Sequence, residues 1–277
     1  MRTLLVLARI SNLPTVWSNC LAAWLLCGDG SWGRFGLLCL GATLLYTGGM
    51  FLNDAVDERF DRRYRPERPI PSGRISSRTV WILSCCLLIT GWGTFALLGG
   101  APAIIAAILL ITIALYDVVH KRTALAPLLM AACRFLLYVL AASVLNREGS
   151  PAVLWWGGAL AAYIVGLSYL ARGESTGGSA TRWPTLLLFA PALVALIQRS
   201  AQPWNQWLAL LAQIAWTFWC LAGRKPRGLA SVPQGIAGLL AGIALVDLTA
   251  ASCCGMPVVF LALFVLAILL QRIAPAT

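Results

Sequence analysis

Three aspartates, Asp54, Asp57 and Asp61, follow Asn53 at the end of a long apolar run. If that run is a helix that continues through them, they stand at i, i+3 and i+7. At about 100° per residue they then share one stripe, with Asn53 beside it. Carboxylates aligned in this way repel each other unless cations sit among them. Hard divalent ions take oxygen ligands, and Mg2+ keeps to one or two carboxylates and completes its shell with substrate phosphates. The tail from Arg59 to Arg78 brings seven of the chain's 21 Lys/Arg, and five of its ten acidic residues lie between 54 and 67. Arginines can fork onto phosphate oxygens. Residue types and spacing therefore point to a metal–diphosphate site at the mouth of a membrane helix. A solvated charged loop that only sets topology would share the composition, but not the phasing of the acids or the prolines Pro66, Pro69 and Pro71.

The elements that must position this stretch are apolar. The chain has 277 residues, of which 60% are hydrophobic and 11% charged, with a mean hydropathy of +0.81. Soluble domains carry about 25% charged residues, so nearly all of this chain belongs in a bilayer as an integral membrane protein. Ten apolar stretches could cross: 13–28, 35–54, 78–99, 101–119, 124–145, 152–171, 183–198, 203–222, 232–252 and 256–272. Only Cys253-Cys254-Gly255 separates the last two, which form either a tight hairpin or one span and a re-entrant piece. With the N-terminus in the cytosol, 17 Lys/Arg fall on inside segments and three, Arg34, Arg147 and Arg199, on outside ones. That bias places both termini in the cytosol. The net charge of +11 then reflects basic loops facing anionic membrane lipid, not a nucleic-acid partner. Met1 to Leu13 reads as an amphipathic piece lying in the interface.

Other polar residues gather at the same membrane face. Tyr116, Asp117, His120, Lys121 and Arg122 follow the fourth span, and Ser168, Tyr169, Arg172 and Glu174 follow the sixth. Lys121 suits a phosphate contact and Tyr116 an aromatic wall, and both equally suit an interfacial Tyr and a positive-inside residue. His120 is the chain's one histidine and reads as an interfacial polar residue. The nine cysteines are scattered through apolar runs without a CxxC pair, which argues against zinc or haem and for small buried hydrophobes. Asp117, Arg134 and Asp247 are ionisable groups within spans, which by default mark a cavity or a pair. The pairs Arg134–Asp247 and Arg134–Asp117 are both open.

The run Asn53-Asp54-x-x-Asp57-x-x-x-Asp61, continued by Arg65-Pro66-Glu67-Arg68-Pro69-Ile70-Pro71-Ser72-Gly73-Arg74-Ile75-Ser76, resembles the first signature of the UbiA superfamily of intramembrane prenyltransferases. Tyr116…Lys121-Arg122, with Pro127 after it, is similar to that family's Tyr/Lys motif. The resemblance covers essentially the whole chain, 1–277, as one membrane domain. It implies an all-α bundle of nine or ten transmembrane helices around a central cavity, in keeping with a bacterial inner membrane. It implies Mg2+ on an isoprenyl diphosphate held by Asn53, Asp54, Asp57 and Asp61. Arg68 and Lys121 would neutralise the diphosphate, with Arg122, Arg172 and Glu174 as further substrate contacts. Tyr116 would line the cavity near the reacting carbon. A lipophilic or aromatic acceptor would take the prenyl group.

The chain departs from the family after the sixth span, where two or more aspartates are usual. Here the stretch is Ser168-Tyr169-Leu170-Ala171-Arg172-Gly173-Glu174, which is similar to the divergent EboC branch. Either Arg172 replaces a second metal's charge, or the site serves a different substrate or reaction. A non-catalytic role, in which the bundle binds or transports an isoprenoid or conjugated metabolite, is the competing expectation.

Overall fold

The structure, a computed structural model, describes residues 2–28, 30–175, 183–198, 204–222 and 232–274. Among them the chain is helical and holds no strand. A short helix, α1 (Arg2–Leu7), and a 3-10 turn (Ile10–Asn12) precede α2 (Leu13–Cys27). Then come α3 (Trp32–Val56), α4 (Glu58–Tyr64), α5 (Ser77–Leu98), α6 (Gly100–Val119), α7 (Ala126–Ser143) and α8 (Pro151–Ser175). The C-terminal part adds α9 (Trp183–Leu187), α10 (Ala190–Ile197), α11 (Trp204–Ala222), α12 (Val232–Ala241), α13 (Ile243–Ala251) and α14 (Pro257–Leu270).

Helix boundaries follow local chemistry. Ser31 and Ser76 cap α3 and α5, their hydroxyls accepting from the backbone N–H of Arg34 and Thr79. Pro14, Pro127, Pro191 and Pro257 stand in the first turns of α2, α7, α10 and α14, where a missing N–H costs nothing. Gly99 separates α5 from α6 at φ 140°, a conformation that L side chains rarely adopt.

Among the described residues, six helical stretches are long and apolar enough to cross a membrane: Trp32–Val56, Ser77–Leu98, Gly100–Val119, Ala126–Ser143, Pro151–Arg172 and Gly235–Cys254. They coincide with six of the ten expected spans. The other four stretches are helical but shorter or less apolar. The 15-residue α2 reaches only about 22 Å at 1.5 Å per residue. Stretch 183–198 is divided between α9 and α10 at Leu188 and Phe189, and stretch 256–272 yields the 14-residue α14. The last boundary expected from sequence, Cys253-Cys254-Gly255, is a 3-10 turn closed by Gly255 at φ 84°, so α13 and α14 form a hairpin.

The core lies where α2, α7, α8 and α13 meet, around the buried Trp24, Tyr138, Trp156 and Tyr163. The outer helices present Ile89, Leu97, Ile104, Ile111, Leu211 and Val258 outward, as lipid contact requires. α3 is held hardest against α5. A Cβ on Gly91 would lie 3.0 Å from the backbone N of Leu45, and one on Gly48 would lie 2.9 Å from Leu88 Cγ. These glycines set the close approach of the two helices and so fix the end of α3 that carries the acids. Gly91→Leu should therefore lower the thermal midpoint in detergent by the equivalent of about 1–3 kcal/mol of overpacking. A variant as stable as the wild type would contradict this packing.

Candidate functional site

The acid stripe survives folding almost as a continuous helix. α3 ends at Val56 and α4 begins at Glu58, with Asp57 between them at φ −77° and ψ −5°. The i→i−4 bonds run through the junction, Asp57 N–H to Asn53 O and Asp61 N–H to Asp57 O, both at 2.9 Å. Asn53, Asp54, Asp57 and Asp61 are all buried, Asp61 at 1% exposure. Buried carboxylates need opposite charge, and each one here has it.

The proline-rich loop supplies the first cation. Its backbone folds back through Ser72 N–H to Arg68 O at 3.0 Å and Arg74 N–H to Pro69 O at 3.1 Å, turning at Gly73 with φ 75°. Ile70 anchors it in a small apolar cluster with Leu7, Ala8, Phe51, Ala55 and Val80. Arg68 is thereby aimed at the stripe. One of its nitrogens, Nη1, bridges Asp54 Oδ1 at 3.2 Å and Asp61 Oδ2 at 2.9 Å.

The end of α6 supplies the second group. Lys121 Nζ lies 2.7 Å from Asp57 Oδ1 and 3.7 Å from the centroid of the Phe60 ring. His120 Nε2 lies 3.4 Å from Asp57 Oδ2, its Nδ1 lies 3.1 Å from Asp117 O, and its ring stacks on Tyr116 at 5.1 Å. Burial pushes the Asp57 carboxyl up, but His120 and Lys121 outweigh it and hold the group below its ordinary value.

The expectations are met unevenly. Asn53, Asp54, Asp57, Asp61, Arg68, Lys121 and Tyr116 come together. Arg122 is exposed beside the cluster. Arg172 Nη1 donates to Thr123 O at 2.6 Å, which ties the end of α8 to the loop after α6. Glu174 stands in the last turn of α8, and its side chain lies outside the described residues.

Three participants take partners that the sequence did not assign to them. Arg9 reaches Asn53 Oδ1 at 3.2 Å and Asp54 Oδ1 at 3.5 Å. Its left-handed backbone, φ 42° and ψ 53°, turns the chain between α1 and the 3-10 turn, the kind of strain that tertiary contacts must hold in place. The interfacial N-terminal piece is thus part of the site. His120 is the second, where an interfacial role was expected. Asp117 is the third; its Oδ1 accepts from Asn53 Nδ2 at 3.0 Å. The available signal was their rarity, since Arg9 and Asp117 are charges in apolar surroundings.

Metal fit is specific in form. Among the described residues no three His, Cys, Asp or Glu side chains converge as an all-protein metal cage. Asp61 Oδ1 and Asp117 Oδ2 are buried without a hydrogen-bond partner. Hard oxygens in ones and twos, beside cations that suit phosphate, fit Mg2+ completed by a diphosphate. A separate cavity of about 690 Å3, lined by Ser31, Arg34, Asn146 and Arg147, opens at the opposite end of the bundle, far from this chemistry.

Because the Asp57 carboxyl is lowered from 3.8 in the folded protein, its pairing contributes stability above that value and loses it as the pH falls through the lower, folded one. In metal-free buffer, stability between about pH 2 and about pH 5 should rise more steeply in the wild type than in Asp57→Asn. Equal slopes by thermal unfolding would contradict the pairing with Lys121 and His120.

Comparison with known proteins places this arrangement. The family model for the UbiA prenyltransferase family matches residues 11–274. Relatives named digeranylgeranylglyceryl phosphate synthase occur in Methanothrix thermoacetophila, 50% identical over 56 residues, covering 20% of this chain and 21% of that one. Another, in Natronomonas pharaonis, is 31% identical over 159 residues, covering 57% of this chain and 46% of that one. The matched stretches thus span about half or less of those relatives' length. Among solved structures, one from work on digeranylgeranylglyceryl phosphate synthase in membranes has a TM-score of 0.65 at 17% identity, covering 90% of this chain and 96% of that one. A UbiA homologue from Archaeoglobus fulgidus bound to GPP and Mg2+ has a TM-score of 0.51 at 15% identity, covering 98% and 100%. At such identities the structures establish the shared fold. The family match over nearly the whole length, on an integral-membrane helical chain, shows that this protein belongs to the UbiA prenyltransferase family.

Proposed function

We propose that the chain acts as one membrane domain that moves an isoprenyl group from an isoprenyl diphosphate to a lipophilic acceptor, a lipid or an aromatic compound. The observation that carries this reading is the buried stripe Asp54–Asp57–Asp61, with Arg9, Arg68 and Lys121 set directly against it. The Mg2+–GPP complex of the Archaeoglobus homologue and the synthase names of the curated relatives support it. Asn53, Asp54, Asp57 and Asp61 would hold Mg2+, and the bound ion would add positive charge to the departing diphosphate.

The chain's own residues do the rest. Ligand oxygens compete for the same cations that the carboxylates hold. As the diphosphate enters, Arg9, Arg68 and Lys121 turn hydrogen bonds onto its oxygens and stabilise the charge that grows as the C–O bond breaks. The electron pair of that bond leaves on the diphosphate, the acceptor supplies the pair for the new bond, and its proton is lost. Apolar bundle walls keep water from intercepting the allylic carbon, and Tyr116, held by its stack on His120, offers an aromatic face beside it. In place of a second aspartate motif, Leu170 is buried in the core and Arg172 stands at Thr123 beside the Lys121 loop. Arg172 thus brings fixed positive charge where a second metal would otherwise be needed. The basic bias of the loops supports a reading in which this face and both termini lie on the cytosolic side of an inner membrane crossed nine or ten times.

The test is turnover of labelled geranylgeranyl diphosphate in proteoliposomes supplied with lipid and aromatic acceptors. Activity should require Mg2+ and fall by about a hundredfold or more in Asp57→Ala. Undiminished turnover in excess EDTA would overturn the metal-dependent mechanism. Mg2+-dependent donor binding without product across the acceptors would favour a binding or transport role instead.

A further inference from the structure

Deeper in the bundle a second polar network has no part in diphosphate binding. Asp247 on α13 is fully buried. It accepts from Ser18 Oγ at 2.5 Å, from Asn19 Nδ2 at 2.7 Å and from the Tyr138 hydroxyl. Three donors satisfy this carboxylate, and none of them is a cation. Arg134 on α7 approaches the same group from the other side. Its Nη1 donates to Asn19 Oδ1 at 2.7 Å and its Nη2 to Thr15 Oγ1 at 3.1 Å. The Asn19 amide thus stands between the two charges, and the direct ion pair that the sequence leaves open does not form.

Arg134 is therefore unlike the other cations of the interior. Arg9, Arg68 and Lys121 each touch a carboxylate. Arg134 touches only neutral oxygens among the described residues, and two of its five N–H groups account for both bonds. A guanidinium at mid-membrane depth is costly unless it meets an anion. Its side chain is part-buried, and among the described residues no hydrogen bond uses its other three N–H groups.

Position joins this group to the site. Arg134 lies eight residues, about 12 Å, along α7 from its start, and Tyr46 lies eight residues, about 12 Å, before Asp54 on α3. Tyr46 stands within electrostatic reach of both Arg134 and Arg9, and its hydroxyl donates to Arg9 O at 3.2 Å. Arg134 consequently faces the same interior as Tyr46 and Arg9, about two turns along α7 from the loop that carries Lys121, where a donor's apolar chain and an acceptor would meet.

We propose that Arg134 is an anion-binding subsite for the acceptor, taking a carboxylate or phosphate oxygen group on its free guanidinium edge while Asn19 and Thr15 hold the other edge. This rests on the prenyl-transfer reading above. Asp247 acts through Asn19 as a positioning residue, and its charge is far enough spent on Ser18, Asn19 and Tyr138 to leave Arg134 available. Bidentate contact to such an anion is the recognition that arginine geometry favours.

The experiment uses the full chain in a neutral detergent, saturated with Mg2+ and geranyl thiolodiphosphate, an unreactive donor analogue. Dodecyl phosphate, dodecanoate and dodecanol are then titrated by calorimetry, so that chain length is constant and only the head changes. At least one of the anions should bind about tenfold or more tightly than dodecanol, and which one does so distinguishes phosphate from carboxylate. Arg134→Met should abolish the difference while leaving donor-analogue affinity unchanged, and Arg134→Lys should retain part of it. Should Arg134→Met fail to fold, phenylglyoxal labelling of the wild type, read by mass spectrometry, should show Arg134 protected by the preferred anion and not by dodecanol. Equal affinity for all three heads, an anion preference that persists in Arg134→Met, or labelling indifferent to the anion would overturn the proposal. Failure of the wild type to bind the donor analogue would instead overturn the prenyl-transfer reading and take this inference with it.

Discussion

Three carboxylates lie buried on one helical stripe, and their mutual repulsion is the constraint around which this end of the bundle is built. At i, i+3 and i+7 they stay on one side, because the bonds from Asp57 N–H to Asn53 O and from Asp61 N–H to Asp57 O carry the helical path through the junction. The remedy is tertiary. Arg9 arrives from the N-terminus by way of a left-handed turn, Arg68 from a folded-back proline loop, and His120 with Lys121 from the end of α6. These groups come from three different elements. The stripe therefore welds α1, α3, the loop and α6 together while holding a set of exchangeable charges. Ligands that bring their own cation and their own anion, as a metal–diphosphate does, can replace those pairs without leaving any carboxylate uncompensated.

The helices that carry these groups are fixed by means that are apolar and local. Close glycine contacts seat α3 on α5, serine caps begin both helices, and prolines begin the helices that surround the core. Among the described residues, the buried aspartates gather in two groups, the charged cluster at the end of α3 and the Arg134–Asn19–Asp247 network within the bundle. A chain with this few charges places nearly every one of its interior ions in one of these two groups.

Much of this was legible in the residues. The phasing of Asp54, Asp57 and Asp61 follows from spacing, a local signal, whereas Arg68 and Lys121 are marked through the family resemblance, and the structure sets both against the stripe. Hydropathy located the helices, because apolar length is also local, but it did not show that 183–198 divides into α9 and α10. What stayed hidden depends on contacts distant in sequence. Arg9 and Asn53 are 44 residues apart, and Ser18 and Asp247 are 229. His120 looked interfacial because its position at a helix end says nothing of the carboxylate opposite. The pairing of Arg134 was left open for the same reason, and the answer, an amide placed between two charges, has no sequence signature.

The central claim is that the carboxylate stripe exchanges its protein cations for a metal-bound diphosphate. Isothermal titration of the purified chain with geranyl diphosphate, at rising Mg2+ and repeated on Asp54→Ala, tests it directly. The account predicts binding that appears only with Mg2+ and is lost in the variant. Equally tight binding without Mg2+, or binding unaffected by Asp54→Ala, would show that the stripe is a structural brace and that the diphosphate, if bound, is held elsewhere.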